Sequence, residues 1–264
     1  MFSSEEIDRY LRRIRFSGTI SLSSETLSGL QKAHLAAIPY ENLDILNGIP
    51  LSVDPSVIYK KVIDNPRGGF CFELNGLFSE LLSSLGFKVT SYLSRFLYNR
   101  PEELPLPTHR VLKVACGDGI FIADVGTFVD APHSALRFVK DSIQSDGFQL
   151  YMYKEDPVLG QVLYQQDKQT GEWKKFYSFM EYPFSHNDFA ASSFYTEKHP
   201  DSRFAKGPMI SIKMDNDYFA LYGYKMIRIK NDITCKQQIE EADFENILAD
   251  IFHIKTYSNK VFKS

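Results

Sequence analysis

Between residues 74 and 85 the apolar positions Leu74, Leu77, Phe78, Leu81, Leu82 and Leu85 recur at i, i+3, i+4, i+7, i+8 and i+11, with small or polar residues between them. That spacing draws one apolar stripe and predicts a helix over about 71–85, stopped at Gly86. Upstream, residues 4–15 open with serine and glutamate, a capping pattern. Residues 24–37 form a second helical segment that ends before Pro39. Asp54-Pro55 starts a third, Ser56–Ile63, and Asn65-Pro66-Arg67-Gly68-Gly69 breaks it sharply.

From Phe87 the period changes to two. Strands are predicted around Val89, Tyr92 and Phe96, then over Val111–Cys116 and Ile120–Val125, with a hairpin signal at Gly117-Asp118-Gly119. Phe148–Tyr153, Val162–Gln166 and Trp173–Phe179 extend the β region, with a turn at Gln169-Thr170-Gly171. Residues 182–208 read as a long loop, and such loops in compact proteins are often functional. Met209–Met214 and Tyr218–Ile229 form a hairpin around Asp215-Asn216-Asp217. A last helix is predicted near 243–253, with the stripe Phe244, Ile247, Leu248, Ile251 and Phe252.

The 264 residues are 44% hydrophobic and 24% charged, which suits a sizeable core rather than disorder. A formal net charge of −3 argues against nucleic-acid binding and against a polybasic membrane surface. The N-terminal segment is charged from its fifth residue and lacks a signal-peptide apolar run, and no run is long enough to span a bilayer. Three cysteines, Cys71, Cys116 and Cys235, are far apart with no C-x-x-C pair. A disulfide framework or metal site is not expected, and a reducing cytoplasm is the simplest location.

Cys71 follows Gly68-Gly69-Phe70 and opens the striped helix. Free N–H groups and the positive end of the helix dipole favour a thiolate there. The same amides could hold the oxyanion formed when sulfur attacks a thioester. A buried cysteine packing as a small hydrophobe is the competing reading. A nucleophile needs a base, and the base an orienting acceptor. Of six histidines, His34 lies in a helix pattern, His253 ends the last helix, and His133, His186 and His199 fall in segments read as loops. His109 stands where the proline-rich loop Pro101–Pro107 meets a strand, a good place for a catalytic group. Asp124 sits among apolar residues on the next strand, where a lone charge needs a partner. An Asp118-Gly119 turn would set Asp124 opposite Lys113, and a Gly117-Asp118 turn is expected to set it opposite Leu112. Direct opposition to His109 needs a turn at Cys116-Gly117 or a bulge.

These segments resemble the arylamine N-acetyltransferases. Ile38-Pro39-Tyr40-Glu41-Asn42-Leu43 is similar to that family's I-P-F-E-N-L motif. Arg67-Gly68-Gly69-Phe70-Cys71-Phe72-Glu73-Leu74-Asn75 matches its R-G-G-x-C-x-E-x-N motif at every fixed position. Thr108-His109 and Asp124-Val125-Gly126 follow in order. The resemblance implies an α+β, cysteine-protease-like fold of the transglutaminase and papain superfamily. Residues 1–86 would be a helical bundle carrying the nucleophile. Residues 87–204 would be a β-barrel carrying histidine and aspartate, and 205–264 an α/β lid. It implies a Cys71–His109–Asp124 triad that takes acetyl from acetyl-CoA and passes it to an arylamine or hydrazine through an acetyl-cysteine, without a metal.

By the same resemblance Thr108, Gly126, Thr127 and Phe204 would contact CoA. Tyr40, Phe70, Phe96 and Phe128 would line an aromatic acceptor pocket. Thr127-Phe128 departs from the family's usual F-G after D-V-G, which bears on acceptor preference rather than on the triad. Arg67 is expected to pair with Glu41 or Glu73, and Asn75 to bond a loop. Two alternatives stay open: a cysteine hydrolase or transglutaminase-like enzyme with the same triad, and a non-enzymatic binding protein of the same fold.

Overall fold

The computed structural model describes residues 1–99, 104–129, 131–214 and 217–255. Helices α1 (Ser4–Arg13) and α2 (Ser24–Ala37) precede a two-residue strand β1 (Tyr40–Glu41), two short helices α3 (Leu43–Leu46) and α4 (Pro55–Tyr59), and α5 (Cys71–Ser84). Then come β2 (Lys88–Phe96), β3 (His109–Cys116), β4 (Gly119–Ala123), β5 (Leu136–Arg137), β6 (Gln144–Ser145), β7 (Leu150–Asp156), β8 (Gly160–Gln166) and β9 (Trp173–Phe179). Helix α6 (His186–Lys198) leads to β10 (Met209–Met214), β11 (Asp217–Tyr222), β12 (Lys225–Lys230), β13 (Ile233–Gln238) and α7 (Phe244–Asp250).

Local chemistry accounts for the helix starts. At α1 the Glu6 N–H donates to Ser3 Oγ (3.3 Å) while Ser3 N–H donates to the Glu6 carboxylate (2.8 Å), a reciprocal cap. At α4 the Ser56 N–H donates to Asp54 Oδ1 (2.8 Å), and Pro55 takes the first helical position. The segment expected as one helix over 56–63 instead passes from α4 into a wider π turn over Lys60–Asp64.

The predicted stripe is the centre of the core. Leu74, Leu77, Phe78, Leu81 and Leu82 are all 0% exposed, and α5 packs against β2 and β3. Each such side chain contributes about 1.5–3 kcal/mol by leaving water. Eight strands form one antiparallel sheet in the order β5-β4-β3-β2-β9-β8-β7-β6. Its end strands β5 and β6 touch, so the sheet curls into a nearly closed barrel. Five strands form a second sheet, β1-β10-β11-β12-β13. Tyr40 pairs with Ser211 and Glu41 with Ile210, which stitches the N-terminal helices to the C-terminal sheet.

Three expectations are corrected. Residues 182–208 are not a long loop, because α6 occupies 186–198 and a 3-10 turn occupies Arg203–Ala205. The last helix ends at Asp250, and His253 lies beyond it in the left-handed region (φ 58°). Phe252 and Ile254 are still buried, so the apolar stripe continued past the helix it suggested. The strand expected from Phe148 begins at Leu150, because Phe148 N–H is taken by Asp146 Oδ1 (2.9 Å) in a turn. Asp215 and Asn216, expected at a hairpin turn, and part of the Pro101–Pro107 loop lie outside the described residues. Among the described residues no helix is long and apolar enough to cross a membrane.

Candidate active site

Cys71 is the first residue of α5 and is 3% exposed. The turn before it is added to the edge of β1. Gly69 N–H donates to the Pro39 carbonyl (3.3 Å) and Glu41 N–H to the Gly69 carbonyl (2.8 Å). A Cβ on Gly68 would lie 2.1 Å from the Pro39 oxygen, so only glycine fits. Glu73 reaches back to the Phe70 N–H (3.1 Å).

Ion pairs brace this turn. Arg67 donates to Glu41 Oε1 from Nε (3.0 Å) and Nη2 (2.7 Å), and to Asp44 Oδ1 (2.7 Å). Lys61 contacts Asp44 (2.8 Å) and Glu73 (2.9 Å). Burial disfavours both cations, yet the surrounding carboxylates outweigh it and hold each above its ordinary pKa. Arg67 thus takes Glu41 and Asp44, whereas Glu73 goes to Lys61, a partner that no motif singled out.

In the β3–β4 hairpin Cys116 pairs with Gly119 and Leu112 with Ala123. The turn is therefore Gly117-Asp118, and the next step of that register sets Asp124 beside Val111, not Leu112 or Lys113. His109 and Val111 share a face of β3, so the imidazole is Asp124's diagonal neighbour and within side-chain reach. His109 Nε2 and Asp124 Oδ2 are 2.6 Å apart, and both residues are buried.

Asp124 is also held at its other carboxylate oxygen and through its backbone. Its Oδ1 accepts from Asn75 Nδ2 (2.8 Å) and from the Gly126 N–H (2.9 Å), and the Asp124 N–H donates to Gln31 Oε1 (3.2 Å). Asn75 also donates to the Arg110 carbonyl (2.6 Å) and accepts from Val125 N–H (2.9 Å). One helical turn after Cys71, it ties the cysteine's helix to the aspartate's loop. That loop presses on Cys71: a Cβ on Gly126 would lie 2.7 Å from its Cα.

Burial works against an imidazolium at His109. The Asp124 carboxylate, by charge and hydrogen bond, and then Cys71 outweigh it, and the pKa is pushed up to about 10. With Nε2 on Asp124, Nδ1 is the nitrogen left for the cysteine. The thiol also donates to the Thr108 carbonyl (Sγ to O, 3.4 Å). The ring of Phe96 meets the imidazole edge-on at 5.8 Å, and Tyr177 lies 6.1 Å away.

Cys71 and His109 open into a cavity of about 410 Å³. Thr108, Gly126, Thr127 and Phe204 line it, and so do Tyr40, Phe96 and Phe128. Phe70 does not. It is 0% exposed and packs on Phe72 (5.5 Å) and Phe204 (6.5 Å), because the residue before the helix start turns into the core while Cys71 turns out of it. Tyr40 and Phe128 meet at 6.0 Å, and the Phe128 carbonyl accepts from the Tyr218 hydroxyl.

The far wall is Tyr195 and Thr196 of α6 with Asp201, Ser202 and Arg203 of the following turn. None of these was singled out in the sequence. The available signal was Ser185-x-x-Asp188, whose carboxylate caps the Ser185 N–H (2.6 Å). Arg110 was also missed. It is 8% exposed, bonds Ser91 Oγ (2.8 Å) and lies over the Phe189 ring of α6 at 4.4 Å. The other described imidazoles stay away from this cavity. His34 Nδ1 is bonded to the Tyr10 hydroxyl (2.9 Å), and His133 stacks on Phe148 (4.1 Å).

The family model for N-acetyltransferases matches residues 23–261. The arylamine N-acetyltransferase of Mycolicibacterium smegmatis is 32% identical over 226 residues, which is 83% of this chain and 80% of that one. The structure of the Salmonella typhimurium arylamine N-acetyltransferase superimposes with a TM-score of 0.91 at 26% identity, over 98% of this chain and 94% of that one. The Mycobacterium marinum enzyme, solved in complex with CoA, superimposes with a TM-score of 0.88 at 30% identity, over 94% and 93% of the two chains. Matches that run through the cysteine motif and across both sheets show that this chain belongs to the arylamine N-acetyltransferase family, acyltransferases with a cysteine-protease-like fold.

Proposed function

We propose that the chain moves acetyl from acetyl-CoA to an arylamine or arylhydrazine through an acetyl-cysteine on Cys71, with His109 as the base and Asp124 as its orienting partner. The observation that carries the mechanism is the buried 2.6 Å His109–Asp124 contact beside a cysteine at a helix start on the same cavity wall.

The imidazole takes the Sγ proton, and the charge on Asp124 stabilises the imidazolium. The thiolate bonds the acetyl carbonyl carbon while the N–H groups of the first turn of α5 face the oxyanion. The carbon–sulfur bond to CoA breaks and the departing sulfur receives the imidazolium proton. The amine nitrogen then bonds the same carbon, the Cys71 sulfur leaves, and His109 accepts the amine proton and returns it to Sγ. Arylamines suit the second step because they are uncharged near neutral pH, and the rings of Tyr40, Phe96 and Phe128 offer them an apolar wall. Thr108, Gly126, Thr127 and Phe204 are the residues of the same wall for the pantetheine arm. In the three-part division, 1–86 supplies the nucleophile, 87–204 the base and its partner, and 205–264 the lid.

Intact-protein mass spectrometry after brief mixing with acetyl-CoA tests this. One acetyl adduct on the wild type, absent from Cys71→Ala and discharged by 4-aminobenzoate or a hydrazine, is the expected result. No adduct despite an iodoacetamide-reactive Cys71 would point to a hydrolase with the same triad. An unreactive Cys71 would point to a binding protein.

A further inference from the structure

Among the described residues, charge is sparse on the cavity wall. Apart from the His109 imidazole, the lining residues carry one carboxylate, Asp201, and one strong cation, Arg203. Asp201 faces His199 (Oδ2 to Nδ1, 3.9 Å) with its side chain 86% exposed. The guanidinium of Arg203 has no ion pair or side-chain hydrogen bond among the described residues, in a chain where Arg67 and Arg228 are each forked onto carboxylates.

The free head rests on a fixed backbone. Ser202 Oγ donates to the Thr196 carbonyl (2.5 Å) and accepts from Phe204 N–H (3.3 Å). Asn42 Nδ2 bonds the carbonyls of Phe204 (2.7 Å) and Gly207 (2.9 Å). Asn42 sits beside β1, so the turn that bears Arg203 is clamped to the element that also holds the Gly69–Cys71 turn. Burial raises the pKa of the Tyr40 hydroxyl, Cys71 adds to that, and the nearby Arg203 charge works against it. Arg203 is exposed, so its planar, always charged fork is unpaired among the described residues while the backbone beneath it is fixed at a cavity with few other charges, the kind of polar group that can orient a ligand.

We propose that Arg203 is a specificity-determining residue that engages an anionic group of the substrate in this cavity. The chemistry is the same for a carboxylate on the acceptor ring and for the diphosphate of CoA: a guanidinium fork matches both bidentately. The assignment rests on the acetyl-transfer reading for the identity of these ligands, but its test does not need turnover.

Equilibrium binding by calorimetry compares wild type, Arg203→Gln and Arg203→Lys with two ligand pairs. One pair is 4-aminobenzoate and its neutral ethyl ester. The other is CoA and pantetheine, which lacks the phosphates. Loss of a charge-assisted hydrogen bond weakens binding roughly tenfold to a hundredfold. In Arg203→Gln the 4-aminobenzoate-to-ester affinity ratio, or the CoA-to-pantetheine ratio, should fall by that factor, with Arg203→Lys between the two. A fall in the first ratio assigns the anion to the acceptor, and a fall in the second to the donor. Unchanged ratios in both pairs overturn the proposal, whatever the acetyl-adduct experiment gives. A missing acetyl adduct with Arg203-dependent ratios intact would overturn the acetyl-transfer reading instead.

Discussion

At the residue scale a single carboxylate organises the proposed chemistry. Asp124 accepts three hydrogen bonds from the protein, from His109, Asn75 and the Gly126 amide; an asparagine keeps an oxygen for Asn75 and Gly126, so that exchange should disorder little while unpairing the imidazolium. Asp124→Asn is expected to fold and to lower the rate of Cys71 acetylation by roughly 10²–10⁴-fold, the range seen when a base loses its partner. Single-turnover mass spectrometry measures it, and a rate within twofold of wild type would remove Asp124 from the mechanism. The same pair makes stability depend on pH. Because the His109 pKa is raised to about 10, its contribution is fully present below the ordinary histidine value near 6.5 and is lost as pH climbs toward 10. The urea midpoint gap between wild type and Asp124→Asn should therefore narrow across that window. A gap that stays constant from pH 6 to 10 would mean that the imidazolium is not what Asp124 stabilises. Cys71 and His109 were legible because their neighbours carry motif information. Gln31 and Arg110 were not, because one is an unremarkable helix position and the other is distinguished only by what packs over it.

At the scale of elements the contrast is between α5 and α6. Helix α5 was legible because all of its stripe serves the core. Helix α6 buries one large ring, Phe189, at 2% exposure and leaves Phe194 64% exposed, so its sequence shows no stripe and reads as loop. Its role is to back the cavity with Tyr195 and Thr196, and a helix built to face a pocket need not be amphipathic in the usual sense. Phe189 is what docks it, against Phe72 at 6.0 Å and beneath the Arg110 guanidinium at 4.4 Å. Phe189→Ala should cost about 3–5 kcal/mol, the range for emptying a buried aromatic site. It should also raise KM for the acetyl acceptor more than it lowers kcat, since a loosened wall weakens binding while leaving Cys71, His109 and Asp124, on α5, β3 and the loop after β4, in place. Steady-state kinetics decide it: a fall in kcat at unchanged KM would show that α6 does not shape the pocket.

Across the whole molecule, what the sequence could not display is how distant segments share charge. Glu41, Asp44, Lys61, Arg67 and Glu73 lie within 33 positions, yet nothing in their spacing says that Arg67 bridges two carboxylates or that Lys61 closes the chain to Glu73. Periodicity reports which side faces the core, and it is silent on which buried ions meet. The pairing of Tyr40-Glu41 with β10 was equally hidden, since a two-residue strand carries no alternation. The network sits where β1, the Gly-Gly turn and the start of α5 meet, so it couples the C-terminal sheet to the helix that opens at Cys71. Removing one partner of a buried ion pair costs about 3–5 kcal/mol because the survivor stays buried and uncompensated. Arg67→Met leaves buried Glu41 without its ion-pair partner and, among the described residues, with only the Leu43 N–H (2.7 Å) on it, while Asp44 retains Lys61. The expected loss of melting temperature is on the order of 10 °C, at about 2–4 °C per kcal/mol for a chain of this size. Arg67→Lys keeps the charge but loses the fork, so it should recover only part of that loss. The alkylation rate of Cys71 in the folded Arg67→Lys protein then separates two roles for the network. A rate equal to wild type means that the ions hold the turn in place and leave the thiol's reactivity to His109. A slowed rate at intact fold means that the charges beneath the helix start also tune the nucleophile.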